Sequence, residues 1–130
     1  MKLASIDIGL KRIGLAICLQ SNIVSPITAI LRKNRNQAAK DVNLFLEEWE
    51  IDKLIVGYPS ASEDMQKRIQ HFVALLDLKI PYELQEENMS SIEAKDLIKG
   101  QIKQKRDGRI DSLAAKIILE RYIAKSKGKL

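Results

Sequence analysis

The chain has 130 residues, 45% hydrophobic and 30% charged, which is enough for one ordinary domain with its own core. No apolar run approaches the roughly 20 residues a membrane-spanning helix needs, so a membrane role is not expected. The single cysteine, Cys18, excludes an internal disulfide and suits a reducing cytoplasm. The net charge is +5, with cations gathered at Arg32, Lys33 and Arg35, at Lys99, Lys103, Lys105, Arg106 and Arg109, and at Arg121, Lys125, Lys127 and Lys129. Such clusters either attract a polyanion, nucleic acid being the obvious class, or form a solvated basic surface. The N-terminus does not read as a secretory signal, because Lys2 is followed by Asp7 before any apolar stretch is complete.

In chain order, Lys2–Ile8, Arg12–Leu19 and Ile23–Leu31 read as three strands, joined closely enough to pair antiparallel. Gly9 and Gly14 punctuate the first pair. The apolar period then changes to that of a helix at Ala38, Val42, Phe45, Leu46 and Trp49. Cys18 and Trp49 both read as core residues. Lys53–Gly57 is a short continuous apolar run, the pattern of a strand buried on both faces and paired in parallel. Met65, Ile69, Phe72, Val73 and Leu76 mark a second helix, in which His71 reads as structural. Ile80–Leu84 is a weaker fifth strand, placed at an edge by Pro81. Ser90 with Glu93 forms a capping box for a helix that runs to about Lys99 and ends at Gly100. A final helix carries Ile110, Leu113, Ala114, Ile117 and Ile118. The order β-β-β-α-β-α-β-α-α predicts an α/β fold with a mixed sheet flanked by helices. It predicts one domain over 1–130, with a flexible basic tail near 125–130.

Three carboxylates stand out. Asp7 shares a strand face with Leu3 and Ser5, and that face should be covered. A charge there needs hydrogen bonds, a cation such as Lys11 or Arg12, or a metal. Glu87, beside Glu86, follows the fifth strand, where ligands gather in open sheets with parallel strands. Acids before a helix also complement its dipole. Asp111 opens the last helix on the face of residues 115, 118 and 122, which looks toward the sheet; the dipole explains it equally well. Brought together, three carboxylates repel one another and raise each other's pKa, and a hard divalent cation removes that penalty. Such a site, with basic clusters beside it, fits hydrolysis of a phosphodiester.

The same residues carry a resemblance. "SIDIGLKRIGLAI" resembles the first-strand motif D-x-G-x-K-R-x-G-x-A of the YqgF/RuvX family, bacterial Holliday-junction-resolvase-like proteins to which a pre-16S rRNA nuclease role is ascribed. "LIVGYP" resembles the family's G-x-P stretch, "EENMSSIEA" its D-E-R-x-[ST]-[ST]-x-E-A segment, and "IDSLAAKIILERYI" its D-[AS]-x-A-A helix. The matches occur in order and span nearly the whole chain. The resemblance implies an RNase H-like fold with a five-stranded sheet ordered 3-2-1-4-5. It implies a Mg²⁺- or Mn²⁺-dependent endonuclease of the cytoplasm, active in 5′-end maturation of pre-16S rRNA and in ribosome biogenesis. Asp7, Glu87 and Asp111 take its catalytic and metal-binding positions. Two departures are Asn88 in place of the family's arginine, and "SASED", Ser60 to Asp64, in place of its Asn and Asp-Gly. Lys11, Arg12, Arg109, Ser90 and Ser91 are candidate nucleic-acid contacts, the serines being helix caps as well.

The expected partner is structured RNA, or branched DNA if the chain is a Holliday junction resolvase, with ribosomal precursor particles as a further partner. A dimer suits two symmetric cuts in a junction and a monomer suits RNA. A nucleic-acid-binding ribosome-maturation factor without catalysis is the competing reading. An actin-like nucleotide-binding lobe fits less well, since that machinery needs two lobes.

Overall fold

The computed structural model describes residues 1–20, 23–60, 62–86 and 112–128. Five strands, β1 (Leu3–Ile8), β2 (Arg12–Cys18), β3 (Ser25–Leu31), β4 (Lys53–Tyr58) and β5 (Tyr82–Glu86), form one sheet in the order β3-β2-β1-β4-β5. Three helices are described: α1 (Arg35–Glu48), α2 (Glu63–Leu76) and α3 (Leu113–Gly128). The tight connections pair β1 with β2 and β2 with β3 antiparallel, whereas β1–β4 and β4–β5 are parallel across the helical crossovers.

Period-two alternation divides the sheet's two faces. Ala4, Ile6 and Ile8 pack with Ile13, Leu15, Leu54 and Val56 beneath α1 and α2, whose Val42, Phe45, Ile69, Phe72 and Leu76 complete the larger core. On the opposite face Ala16, Cys18 and Ile55 pack against Ala115, Ile118 and Leu119 of α3. Both faces of β1 and β4 are therefore covered, which explains the continuous apolar run of β4. Among the described residues the buried polar side chains are Ser5 and Ser112, and both bond across the α3 side of the sheet. Ser5 Oγ donates to the Ala115 carbonyl at 2.6 Å.

Several boundaries differ from expectation for local reasons. β3 begins at Ser25, because pairing with β2 starts at Ile17↔Ser25; Ile23 ahead of it is 67% exposed. β5 begins at Tyr82, since Pro81 has no N–H to give a ladder; the Pro81 carbonyl still accepts from Leu54 N–H at 3.1 Å. β2 ends at Cys18, the last residue paired with β1. Trp49 caps the C-terminus of α1 and is half-buried against the core rather than inside it, while Cys18 is buried as expected. The helix expected from Ser90 to Lys99 lies outside the described residues.

α1 starts at a reciprocal cap. The Asn34 side chain accepts from Gln37 N–H at 2.8 Å, and the Gln37 side chain bonds back to the Asn34 backbone. The "SASED" stretch supplies the start of α2: Ser62 is its N-cap, and Glu63 and Asp64 occupy its first turn.

Candidate active site

Asp7 lies on central strand β1 and is half-buried, on the face covered by α3. Its cross-strand partner on β2 is Gly14. Gly14 is thus not a turn residue but a mid-strand position opposite the carboxylate. On the other flank the β1–β4 register runs through Ile6↔Val56, and the next residue of β4 is Gly57. With a glycine opposite and another following the register beside it, the carboxylate is not walled in by neighbouring side chains.

The β2–β3 ladder shifts register between Ile13 and Leu15, where Thr28 and Ala29 together oppose Gly14. Ser112 fills that irregularity. Its Oγ accepts from Leu15 N–H at 2.9 Å and donates to the Ile27 carbonyl at 2.5 Å, so one hydroxyl joins two strands that are paired at those residues. Ser112 immediately precedes α3 and immediately follows Asp111 in sequence. The start of the last helix is thereby fastened beside the strand segment that faces Asp7. The expected inward face of this helix holds where it is described: Ala115 and Ile118 are fully buried, and Tyr122 packs on the same cluster.

The turn after Asp7 is equally constrained. Gly9 N–H donates to the Arg12 carbonyl at 3.0 Å, and a Cβ at residue 9 would lie 2.6 Å from that oxygen. Glycine is needed here for close approach of backbone to backbone, its φ being ordinary. Lys11 and Arg12 are exposed at the tip and mouth of this hairpin. Arg32 holds it from β3's end, with its backbone N–H on the Lys11 carbonyl at 2.8 Å and its Nη1 on the Gly9 carbonyl at 2.9 Å.

Of the residues expected in the site, Asp7, Lys11 and Arg12 are thus placed at one end of β1. Glu87, Asp111, Arg109, Ser90 and Ser91 lie outside the described residues. Glu86 ends β5, paired with Tyr58, and its carboxylate accepts from Ser60 Oγ at 2.7 Å; Glu87 follows it directly in sequence. Among the described residues no cluster of three His, Cys, Asp or Glu side chains suited to a metal occurs. The roles of Ser5, Ser112 and Gly14 were not visible in the sequence. A lone serine or glycine within a regular pattern carries no periodic signal.

A sequence model of the RuvX family, described as Holliday junction resolvase, matches residues 1–125. A protein of Sulfurovum sp. (strain NBC37-1) named "Putative pre-16S rRNA nuclease" is 65% identical, covering 95% of this chain and 99% of its own. A protein of the same name from Sulfurimonas denitrificans is 48% identical over 95% and 97% of the two chains. The solved structure of T. thermophilus RuvC in complex with a Holliday junction substrate superposes with a TM-score of 0.63 over 98% of this chain and 96% of that one. At 12% identity it speaks for the RNase H-like fold alone.

Proposed function

Because this chain belongs to the RuvX family, we propose that it is a hydrolytic nuclease that cuts phosphodiesters in pre-16S rRNA, in the cytoplasm. The observation that carries this reading is a placement. Asp7 on the central strand and the start of α3, two residues after Asp111 in sequence, occupy the same covered face of the sheet, tied by the Ser5 and Ser112 bonds. In the proposal Asp7, Glu87 and Asp111 form the acidic set.

Those donors are all carboxylate oxygens, and the described one, Asp7, is half-exposed and bordered by glycine. A hard divalent cation, Mg²⁺ or Mn²⁺, fits such a set. When bound, it would lower the pKa of a water and offset charge on the phosphodiester. The chain's own residues supply the rest. Asp7 and Asp111 hold charge in place, and Glu87 orients the attacking water and takes its proton. Lys11 and Arg12, at the hairpin beside Asp7, hold the phosphate backbone, as do Arg109, Ser90 and Ser91. The fixed hairpin, with Gly9 closed on Arg12 and Arg32 bonded to its carbonyls, keeps these cations in register with the carboxylate.

Branched DNA is the second reading, favoured by the description of the matching family. One experiment separates the readings: cleavage of a precursor 16S rRNA 5′ leader and of a four-way DNA junction, with and without Mn²⁺, by the wild type, Asp7→Asn and Asp111→Asn. The expected result is Mn²⁺-dependent cutting of the RNA, reduced on the order of 100-fold or more by either substitution. Cutting confined to the junction favours the second reading. Wild-type cutting that survives Asp7→Asn refutes the assigned site.

A further inference from the structure

On the far side of the β1–β2 hairpin from Asp7 lies a cavity of about 520 Å³ lined by Leu10, Arg32, Arg35, Lys67, Arg68 and His71. Four basic side chains and a histidine converge there from β3's end, α1 and α2, and among the described residues no carboxylate lines it. We propose that this cavity is a second contact for the sugar-phosphate backbone of the RNA substrate, one that grips a tract beyond the hairpin while the scissile bond lies at Asp7. The proposal rests on the nuclease reading above and adds to it a surface on the opposite side of the sheet.

Three observations support it. First, the basic side chains of the cavity, Arg32, Arg35, Lys67 and Arg68, have no carboxylate partner among the described residues, although Glu63 and Asp64 stand one helical turn from Lys67 and Arg68. Clustered like charges destabilise a fold, and a polyanion is the partner that relieves them. Second, Arg35 is the first residue of α1, whose first turn contains no acid. A cation there opposes the helix dipole, so it weakens the helix, while together with the dipole it deepens an anion-attracting potential. Third, part of the cavity is rigid. The Arg32 guanidinium sits 5.6 Å from the centre of the Phe72 ring and bonds the Gly9 carbonyl, so it is held ready for a ligand. Beside it the 66% exposed Leu10 offers an apolar contact for a ribose or base.

Continuity points to a nucleic acid rather than a small anion. Lys11 and Arg12 are exposed at the hairpin that separates the cavity from Asp7. Cations therefore run from the carboxylate, over the end of the sheet, into the cavity. A single phosphate would need only one end of that path, whereas a polynucleotide occupies all of it.

The test is equilibrium binding of a fluorescein-labelled precursor-rRNA hairpin across a salt series, alongside steady-state cleavage. It compares wild type with Arg35→Gln/Arg68→Gln and with a charge-matched control, Lys40→Gln/Lys79→Gln, at exposed positions that do not line the cavity. Circular dichroism melting establishes that each variant is folded. In the cavity variant Kd should rise roughly tenfold at physiological salt, and the slope of log Kd against log salt should fall by about 2, one unit per lost phosphate contact. Its kcat at saturating RNA should stay at the wild-type value, and the control should bind as wild type does. Wild-type affinity and slope in the cavity variant overturn the proposal, as does an equal loss in the control. A wild type that binds but never cuts refutes the nuclease reading while these binding outcomes still decide the cavity. A wild type that does not bind the RNA refutes both.

Discussion

Ser112 shows how much a single hydroxyl can position. It is fully buried, it satisfies a strand N–H and a strand carbonyl where the ladder is irregular, and it precedes the helix that packs on the same face of the sheet as Asp7. Replacing it with alanine leaves both backbone groups of the sheet short of a partner. A buried group left without its partner costs about 1–3 kcal/mol. Ser112→Ala, which strands two of them, should therefore lower the urea midpoint by an amount equal to about 2–6 kcal/mol at unchanged m value. An unchanged midpoint would show that the strands re-pair without the hydroxyl. Asp7 was legible in the sequence because a charge inside an apolar run is conspicuous. Ser5 and Ser112 were not, because a small polar residue in a regular pattern looks the same whether it faces water or bridges two strands.

At the level of elements, the strands and helices were readable from their periods, and the order 3-2-1-4-5 followed from the resemblance in motif. Their ends were less readable, because backbone pairing decides them: β3 starts where β2 offers a partner, and β5 starts past Pro81. The junction of β4, β5 and α3 illustrates a contact that neither period predicts. Lys53 on β4 bonds Glu83 of β5 and the Tyr122 hydroxyl of α3, each at 2.8 Å, and lies 5.1 Å from the Tyr122 ring centre. The hydrogen bond that Lys53 donates to the Glu83 carboxylate, then the one it donates to the Tyr122 hydroxyl, raises the Lys53 pKa above 10.5. The Lys53 hydrogen bond lowers that of Glu83 below 4.5. The depressed Glu83 contributes stability that is present above the ordinary carboxylate pKa and is lost as pH falls through its folded value. The raised Lys53 contributes stability that is complete below 10.5 and is lost as pH rises through its folded value. Both groups are partly exposed, so screening holds the pair to about 1 kcal/mol or less. In urea titrations the stability gap between wild type and Glu83→Gln should be level near neutrality and should close below about pH 4. A gap that persists at pH 2 would mean Glu83 acts through packing instead.

For the whole molecule, the two cores are unequal in their dependence on the C-terminus. The core beneath α1 and α2 is built from residues 4 to 76, whereas the cluster on the Asp7 face needs Ala115, Ile118 and Leu119. A chain ending at residue 111 would expose Ala16, Cys18 and Ile55 and leave the Ser5 hydroxyl without its acceptor. It should bind 8-anilinonaphthalene sulfonate and lose its sharp thermal transition. A truncated chain that melts cooperatively without binding the dye would show the larger core to be self-sufficient.

The Ser5–Ala115 bond links residues 110 positions apart. During synthesis the N-terminal partner emerges first and waits for 110 further residues before its acceptor arrives. If the face carrying Asp7 is the cutting site, a nascent chain still threaded through its ribosome is harmless to the RNA around it. Competence then waits until residue 115 has been made, and a product that stops before it never acquires it.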